Sequence, residues 1–333
     1  MKKIFLCVCI VFLSFQVNTI CQADLTRSQT IELKKGWNAV FLEVTPDNPA
    51  IDVVFSDIPV ALLLSYYPMN TSIQYIQNPD ELPWQTSSWH RWAPADRPES
   101  RLNNLFVVQA GQAYLILCTA DYSWNITGEP PKLLKSVWQP DSFNFLGFYV
   151  ETQTPPTFEQ YFERSSAHAD KIIYTLEDNI WTKILRPEMV NIQSGAAYWI
   201  WCDGGSDYPG PMQVRTKNGK NQLNFLSTST ELELFIVNLS PNPLSFKMEQ
   251  IPNASGNPVV PLSIIKNSPT ELQTKTYVPL TTFSPEAALE PNEKYMIRLT
   301  VQRRNITADQ ATALLKIYDD IGDVIYIPVI TEK

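Results

Sequence analysis

Histidine is almost missing from this chain, with two residues in 333, His90 and His168. A metal centre or nucleophilic triad that depends on imidazole therefore has little to draw on. Neither Gly-x-Ser-x-Gly nor His-Glu-x-x-His occurs, and there is no Gly-rich phosphate loop and no Cys-x-x-Cys pair. The signatures of α/β hydrolases, zinc peptidases, nucleotide-binding loops and thiol redox sites are thus lacking, and no cofactor or metal is expected. Basic clusters are lacking too, so nothing offsets the repulsion between an acidic surface and a phosphate backbone, and nucleic acid is not an expected partner. After the first fifteen residues no apolar run approaches the ~20 that cross a bilayer as a helix. No transmembrane segment is expected in the mature chain.

What is present begins with MKKIFLCVCIVFLSFQVNTICQADL, two lysines, an apolar run from Ile4 to Phe15 and a polar stretch ending at Ala23. This is the three-part pattern of a secretory leader with cleavage expected after Ala23. Ile20 and Asn18 occupy the places where acylation at Cys21 needs a small and an apolar residue, which argues against a lipoprotein. The chain is expected to be exported, to the periplasm, the cell surface or the medium. Without residues 1–23 it holds 24 basic and 34 acidic residues, a net charge of −10. Split at residues 130 and 216, the mature chain divides this as −6, −3 and −1, so the acidity sits mainly in the first third.

Three of the five cysteines leave with the leader, and Cys118 and Cys202 remain. In an oxidising compartment a Cys118–Cys202 disulfide is permitted. The stronger reading makes each a small buried hydrophobe at the end of an apolar strand. The same apolar setting argues against a Cys–His nucleophilic pair.

Those two cysteines close a repeated phrase. QAGQAYLILC, residues 109–118, and QSGAAYWIWC, residues 193–202, are identical at six of ten positions. Matches continue upstream in the same order: GWNAVFLEVTP with SFNFLGFYVET, AIDVVFSDI with TFEQYFERS, VALLLSYYP with DKIIYTLED, and SSWHRWAP with NIWTKILRP. Asn38 then stands over Asn144 and Trp89 over Trp181. Each copy reads as strand, short helix, strand, strand, Gly-led turn and strong closing strand. Alternation along that last strand puts Tyr, Ile and Cys on one face, shared by both copies and assigned to each module's core. The other face changes from Leu115 and Leu117 to Trp199 and Trp201 and is assigned to a contact peculiar to each copy, such as a neighbouring domain.

The opening GWN strand and the closing G-x-A-Y strand, here GWNAVFLEV with GQAYLI and SFNFLGFYV with GAAYWI, resemble modules of exported bacterial surface proteins. The resemblance covers residues 30 to about 210 and implies a non-catalytic surface building block, often set beside immunoglobulin-like domains. The second copy has Ser142 and Phe143 in place of the Gly-Trp pair.

From Lys217 onward the texture changes to evenly spaced strands, among them ELELFIVNLS, KYMIRLTVQRR and DVIYIPVI, as in a two-sheet sandwich. DDIGD, residues 319–323, reads as a hairpin turn with Gly322 at a positive backbone angle, and it lacks the ligand order of a calcium loop. VNLSPNPLSF and LLKIYDDIGDVIYIPV resemble bacterial immunoglobulin-like strands, which implies an adhesive or spacer role. The expected fold is mainly β: a leader at 1–23, small β-rich modules with minor helix at 24–130 and 131–216, and an immunoglobulin-like sandwich at 217–333.

One cluster suggests ligand binding: Tyr75, Trp84, Trp89, His90, Arg91 and Trp92, with Asp80 and Glu81 nearby. Indoles stack on the C–H faces of sugars while polar neighbours take the hydroxyls. The favoured alternative is that Trp89 is core and that Trp84 and Trp92 pin a long loop. His168, beside Asp170, is expected in a surface loop. The function expected is therefore a non-catalytic binding or assembly protein, whose partner is another exported protein or a surface polysaccharide. A glycan-binding protein using the aromatic loop is the alternative. An exported hydrolase with paired carboxylates carries less weight, because such a pair leaves no short motif to test.

Overall fold

Apolar and polar residues alternate along most of the chain, and in the computed structural model these stretches pair into five sheets among the described residues. Those residues are 25–67, 88–131, 138–217, 219, 222–251, 260–267, 275–306 and 308–333. The leader and the expectations on Tyr75, Trp84, Asp80 and Glu81 lie outside them. Among the described residues no helix is long and apolar enough to cross a membrane.

The first unit runs β1 (Arg27–Leu33), β2 (Gly36–Leu42), β3 (Thr45–Pro46), the single-turn helix α1 (Ile51–Val54), β4 (Val60–Tyr66), β5 (Trp89–Trp92), β6 (Gln112–Cys118) and β7 (Tyr122–Glu129). A four-stranded sheet is ordered β2-β6-β4-β5, and a three-stranded sheet β1-β7-β3. In β1 the residues Gln29, Ile31 and Leu33 turn inward while Ser28, Thr30 and Glu32 face water, the two-residue period of a half-buried strand.

The second unit runs β8 (Ser142–Gly147), α2 (Phe158–Phe162), β9 (Ile173–Glu177), β10 (Ile180–Lys183) and β11 (Ala197–Cys202). Its sheet is ordered β8-β11-β9-β10, the same succession as β2-β6-β4-β5. Thr157 and Gln160 form a capping box that starts α2, the hydroxyl accepting from the Gln160 N–H at 3.2 Å and the amide oxygen from the Thr157 N–H at 2.9 Å.

Matched residues do matched work. Gly111 and Gly195 both have φ of 78°, a left-handed turn that favours glycine. Directly after it, the Tyr114 and Tyr198 hydroxyls each accept a backbone N–H, from Gln109 and Gln193, at 3.0 Å. The Asn38 and Asn144 side chains each accept the N–H of an upstream residue, Lys34 and Gln139, at 2.8 Å.

Tyr114, Ile116 and Cys118 lie in the core of the first unit, and Tyr198, Ile200 and Cys202 in that of the second. Both cysteines are free and buried, so the permitted disulfide is not formed. The cause is the alternation itself. The cysteines point into separate cores, while the opposite faces of β6 and β11 supply Ala113, Leu115, Ala197 and Trp199 to the seam between the units. Phe41 fills that seam over Gly147, and its backbone N–H donates to the Gly195 carbonyl at 2.8 Å.

The third unit packs two five-stranded sheets around one core. One is ordered β12-β14-β19-β16-β17, from β12 (Met212–Thr216), β14 (Glu231–Asn238), β16 (Leu262–Asn267), β17 (Lys275–Pro279) and β19 (Lys294–Val301). The other is ordered β13-β21-β20-β15-β18, from β13 (Leu223–Asn224), β15 (Phe246–Ile251), β18 (Thr282–Phe283), β20 (Gln310–Asp319) and β21 (Val324–Glu332). This is an immunoglobulin-like β-sandwich. It begins ahead of Lys217, because Met212–Thr216 pairs with β14 as an outer strand. The turn at 319–323 is a hairpin with Gly322 at φ 108°.

Two polar joints hold the units together. Arg27 pairs with Glu43 in the first unit, Ser194 of the second donates to the same carboxylate, and the Arg27 guanidinium lies 4.3 Å over the ring of Tyr326 in the sandwich. At the second joint the Glu151 N–H donates to the Gly322 carbonyl at 2.9 Å, the Val324 N–H to the Tyr149 carbonyl at 3.1 Å, and Lys316 pairs with Glu151.

Candidate functional site

The sheet of the second unit carries an unusual run of aromatic side chains on one face. In its register Trp199 lies opposite Phe145 on one side and Tyr174 on the other, Trp201 lies opposite Phe143, and Trp181 stands on the next strand. Side chains directly across a pair point the same way, so these rings share a face. The inner end of that face is covered by the first unit, where Tyr66 meets Trp199 at 5.1 Å and Trp89 meets Trp199 at 6.0 Å between ring centroids. The outer end is open. It forms a groove of about 570 Å³ lined by Tyr66, Trp89, Asp141, Ser142, Phe143, Tyr174, Trp181, Trp199 and Trp201.

The rings are fixed by contacts with one another. Phe145, buried beneath them, lies 4.9 Å from Trp199 and 6.0 Å from Trp181, the second edge to face. Phe143 stands edge to face with Trp201 at 5.2 Å and with Tyr174 at 5.7 Å. Such arrangements suit ring quadrupoles and hold the platform in place.

Their indole N–H groups separate these tryptophans from those of the core. Trp92 donates to the Asp52 carboxylate at 2.7 Å and Trp138 to the Tyr208 carbonyl at 2.9 Å, both from fully enclosed positions. Trp181, Trp199 and Trp201 are only half-buried, and among the described residues their N–H groups have no hydrogen-bond acceptor. At the rim, exposed Asp141 accepts the Gly204 N–H at 2.8 Å through Oδ1. Among the described residues no lysine or arginine lines the groove, and Lys183, across from Tyr174, shares its sheet face.

Of the cluster suggested by the sequence, Trp89 alone among its described members lines this groove. The strand sends Trp92 into the core of the first unit against Phe55 at 5.7 Å. Arg91 holds the following loop, its Nε donating to the Leu102 carbonyl at 3.0 Å, and the His90 ring lies 3.3 Å from the Asn104 carbonyl. The groove draws mostly on the second unit, and the signal for it was the paired tryptophans of AYWIWC together with Trp181.

His168 is not in a surface loop. It is 2% exposed, because a 3-10 turn over Ser166–His168 tucks the ring against Trp138 at 4.1 Å and Phe162 at 4.6 Å. Burial lowers its pKa to about 4, so it is neutral at neutral pH, with the Ser165 hydroxyl 2.6 Å from Nδ1. Ser165 is itself buried, so this pair has no access for a substrate. Among the described residues no three His, Cys, Asp or Glu side chains converge as a metal site requires.

No protein-family model matches the chain, and no curated protein matches it. Solved structures give faint likenesses. A PapD-like domain of human CEP192 is 10% identical over 37% of this chain and 84% of that one, with a TM-score of 0.23. The Pseudomonas aeruginosa CupB2 chaperone is 16% identical over 33% of this chain and 52% of its own, about half its length, with a TM-score of 0.22. The Enterococcus faecalis MSCRAMM ACE is 8% identical over 93% of this chain and 84% of that one, with a TM-score of 0.19. At these scores the likenesses carry no argument about function.

Proposed function

We propose that this chain is an exported, non-catalytic binding protein of the bacterial surface or periplasm, whose ligand seats in the aromatic groove between its first two units. The observation that carries the reading is the set of half-buried tryptophans, Trp181, Trp199 and Trp201, packed against one another and their ring neighbours beside an open cavity, with no acceptor for their N–H groups among the described residues. Large apolar rings with a few convergent polar groups are the usual lining of a ligand site. The leader pattern at residues 1–23 supports export. The equal strand order and matched turn contacts of the two four-stranded sheets support two diverged copies of one module, of the surface-protein type that the GWN and G-x-A-Y strands resemble. The partner is an exported protein or a surface polysaccharide.

A hydrolase working through paired carboxylates needs two acids flanking the bond it cuts. Among the described residues one acid, Asp141, lines this groove. The test is tryptophan emission of residues 24–333 titrated with envelope extract of the native cell. A saturable shift that is lost in Trp201→Ala, at an unchanged melting temperature, is expected. The reading fails if the extract gives no saturable shift, or one that Trp201→Ala leaves intact.

A further inference from the structure

The groove is a platform and not a cage. The rings of Phe143, Tyr174, Trp181, Trp199 and Trp201 stand on neighbouring strands of one sheet, which lie ~4.8 Å apart, and project from the same face, while Tyr66 and Trp89 of the first unit close its inner end. A compact cation such as a quaternary ammonium group is held where rings converge on one point. A row of rings on a sheet face instead suits an extended ligand that repeats a flat apolar surface along its length.

Polarity narrows the ligand further. Among the described residues the charged group in the lining is one carboxylate, Asp141, on a chain whose net charge is −8, and Lys183 stands outside the lining on the same sheet face, across from Tyr174. An acidic polymer meets repulsion from that carboxylate and from the net charge of the chain. Asp141 is held in place by the Gly204 N–H on Oδ1, and its Oδ2 is free among the described residues to accept from a hydroxyl. Ser142 adds a hydroxyl, and the N–H groups of Trp181, Trp199 and Trp201 add donors around the ring faces. Apolar faces with donors and an acceptor at their edges are the complement of a pyranose ring, whose C–H face is apolar and whose equatorial hydroxyls lie at its rim.

We propose that the groove binds the sugar rings of an extended neutral polysaccharide, stacked on Trp181 and Trp201 with hydroxyls directed to Asp141 and Ser142. This rests on the reading of the groove as the ligand site.

The experiment is affinity electrophoresis of residues 24–333 through gels containing hydroxyethyl cellulose, glycol chitin, laminarin or polygalacturonate, with tryptophan emission followed in parallel on adding choline. Retardation by at least one of the neutral polymers, hydroxyethyl cellulose, glycol chitin or laminarin, is expected, with little or none by polygalacturonate. Trp181→Ala and Trp201→Ala should each weaken it about tenfold or more at an unchanged melting temperature, and Trp201→Phe should retain much of it. Retardation that both alanine variants leave intact overturns the proposal. So does failure of all three neutral gels while choline, polygalacturonate or the envelope extract still shifts the emission, an outcome that leaves the groove as a ligand site for another class. Failure of every probe, the extract included, removes both readings.

Discussion

Gly147 shows how a single residue sets the relation between the first two units. A Cβ at that position would overlap the Phe41 side chain and the Ala196 carbonyl, in the middle of the seam where neither can retreat. Gly147→Ala is therefore expected to destabilise the protein by about 1–3 kcal/mol. Gly205→Ala, where an added Cβ meets nothing within 4 Å, should stay within about 0.5 kcal/mol. Urea denaturation of the two variants beside the parent measures both. The cysteines make a second residue-level test. Burial, with a smaller contribution from Asp121, pushes the Cys118 thiol up to about 11, and burial also raises Cys202. Neither thiol should react with a thiol reagent in the folded protein, and both should react in urea without reductant. A bridged pair would stay silent in both states.

Among the elements, the β20–β21 hairpin does more than turn the chain. Asp319 accepts the N–H groups of Gly322 and Asp323 at 2.7 and 2.9 Å, and both acids are 4% exposed where the hairpin enters the second unit. Burial pushes Asp319 up to about 7, and burial together with the Asp319 charge holds Asp323 well above its ordinary range. An unfolded Asp titrates near ~3.9, so above that value the folded state binds more protons than the unfolded one. Stability should then fall as pH rises from about 4 through about 7. Asp323→Asn removes one of the two acids and should melt higher than the parent at pH 8, with a flatter pH profile between 5 and 8. Parallel profiles would contradict this account of the joint.

Several of these elements were legible in the sequence because their cause is local. Alternation in AYLILC and AYWIWC assigned the core face and the contact face of β6 and β11, and Gly322 marked its turn. What was not legible depends on pairing across long separations. Nothing near Met212 announces that its strand joins β14, and nothing in SSAHAD shows that a 3-10 turn carries His168 under Trp138. Trp181 was seen as the match of Trp89, but that the two line one groove follows from how the first unit covers half of the second unit's sheet.

At the scale of the whole molecule, three units meet at two polar joints and an aromatic seam. The first joint draws on all three, since Glu43 takes Arg27 and Ser194 while Arg27 stacks on Tyr326. A buried carboxylate that lost these partners would be left uncompensated, so the joint favours one arrangement of the units. That arrangement leaves the outer half of the aromatic face open, and the central claim is that this opening receives the ligand. The most direct measurement is the two-dimensional ¹⁵N–¹H spectrum of the tryptophan side chains, nine in the full sequence, before and after adding the polymer or extract fraction that binds. Each indole signal is assigned by single Trp→Phe variants. The account predicts that the signals of Trp181, Trp199 and Trp201 move on binding while those of Trp92 and Trp138, bonded inside the cores, stay in place. Movement confined to other tryptophans, with these three unchanged, would contradict it.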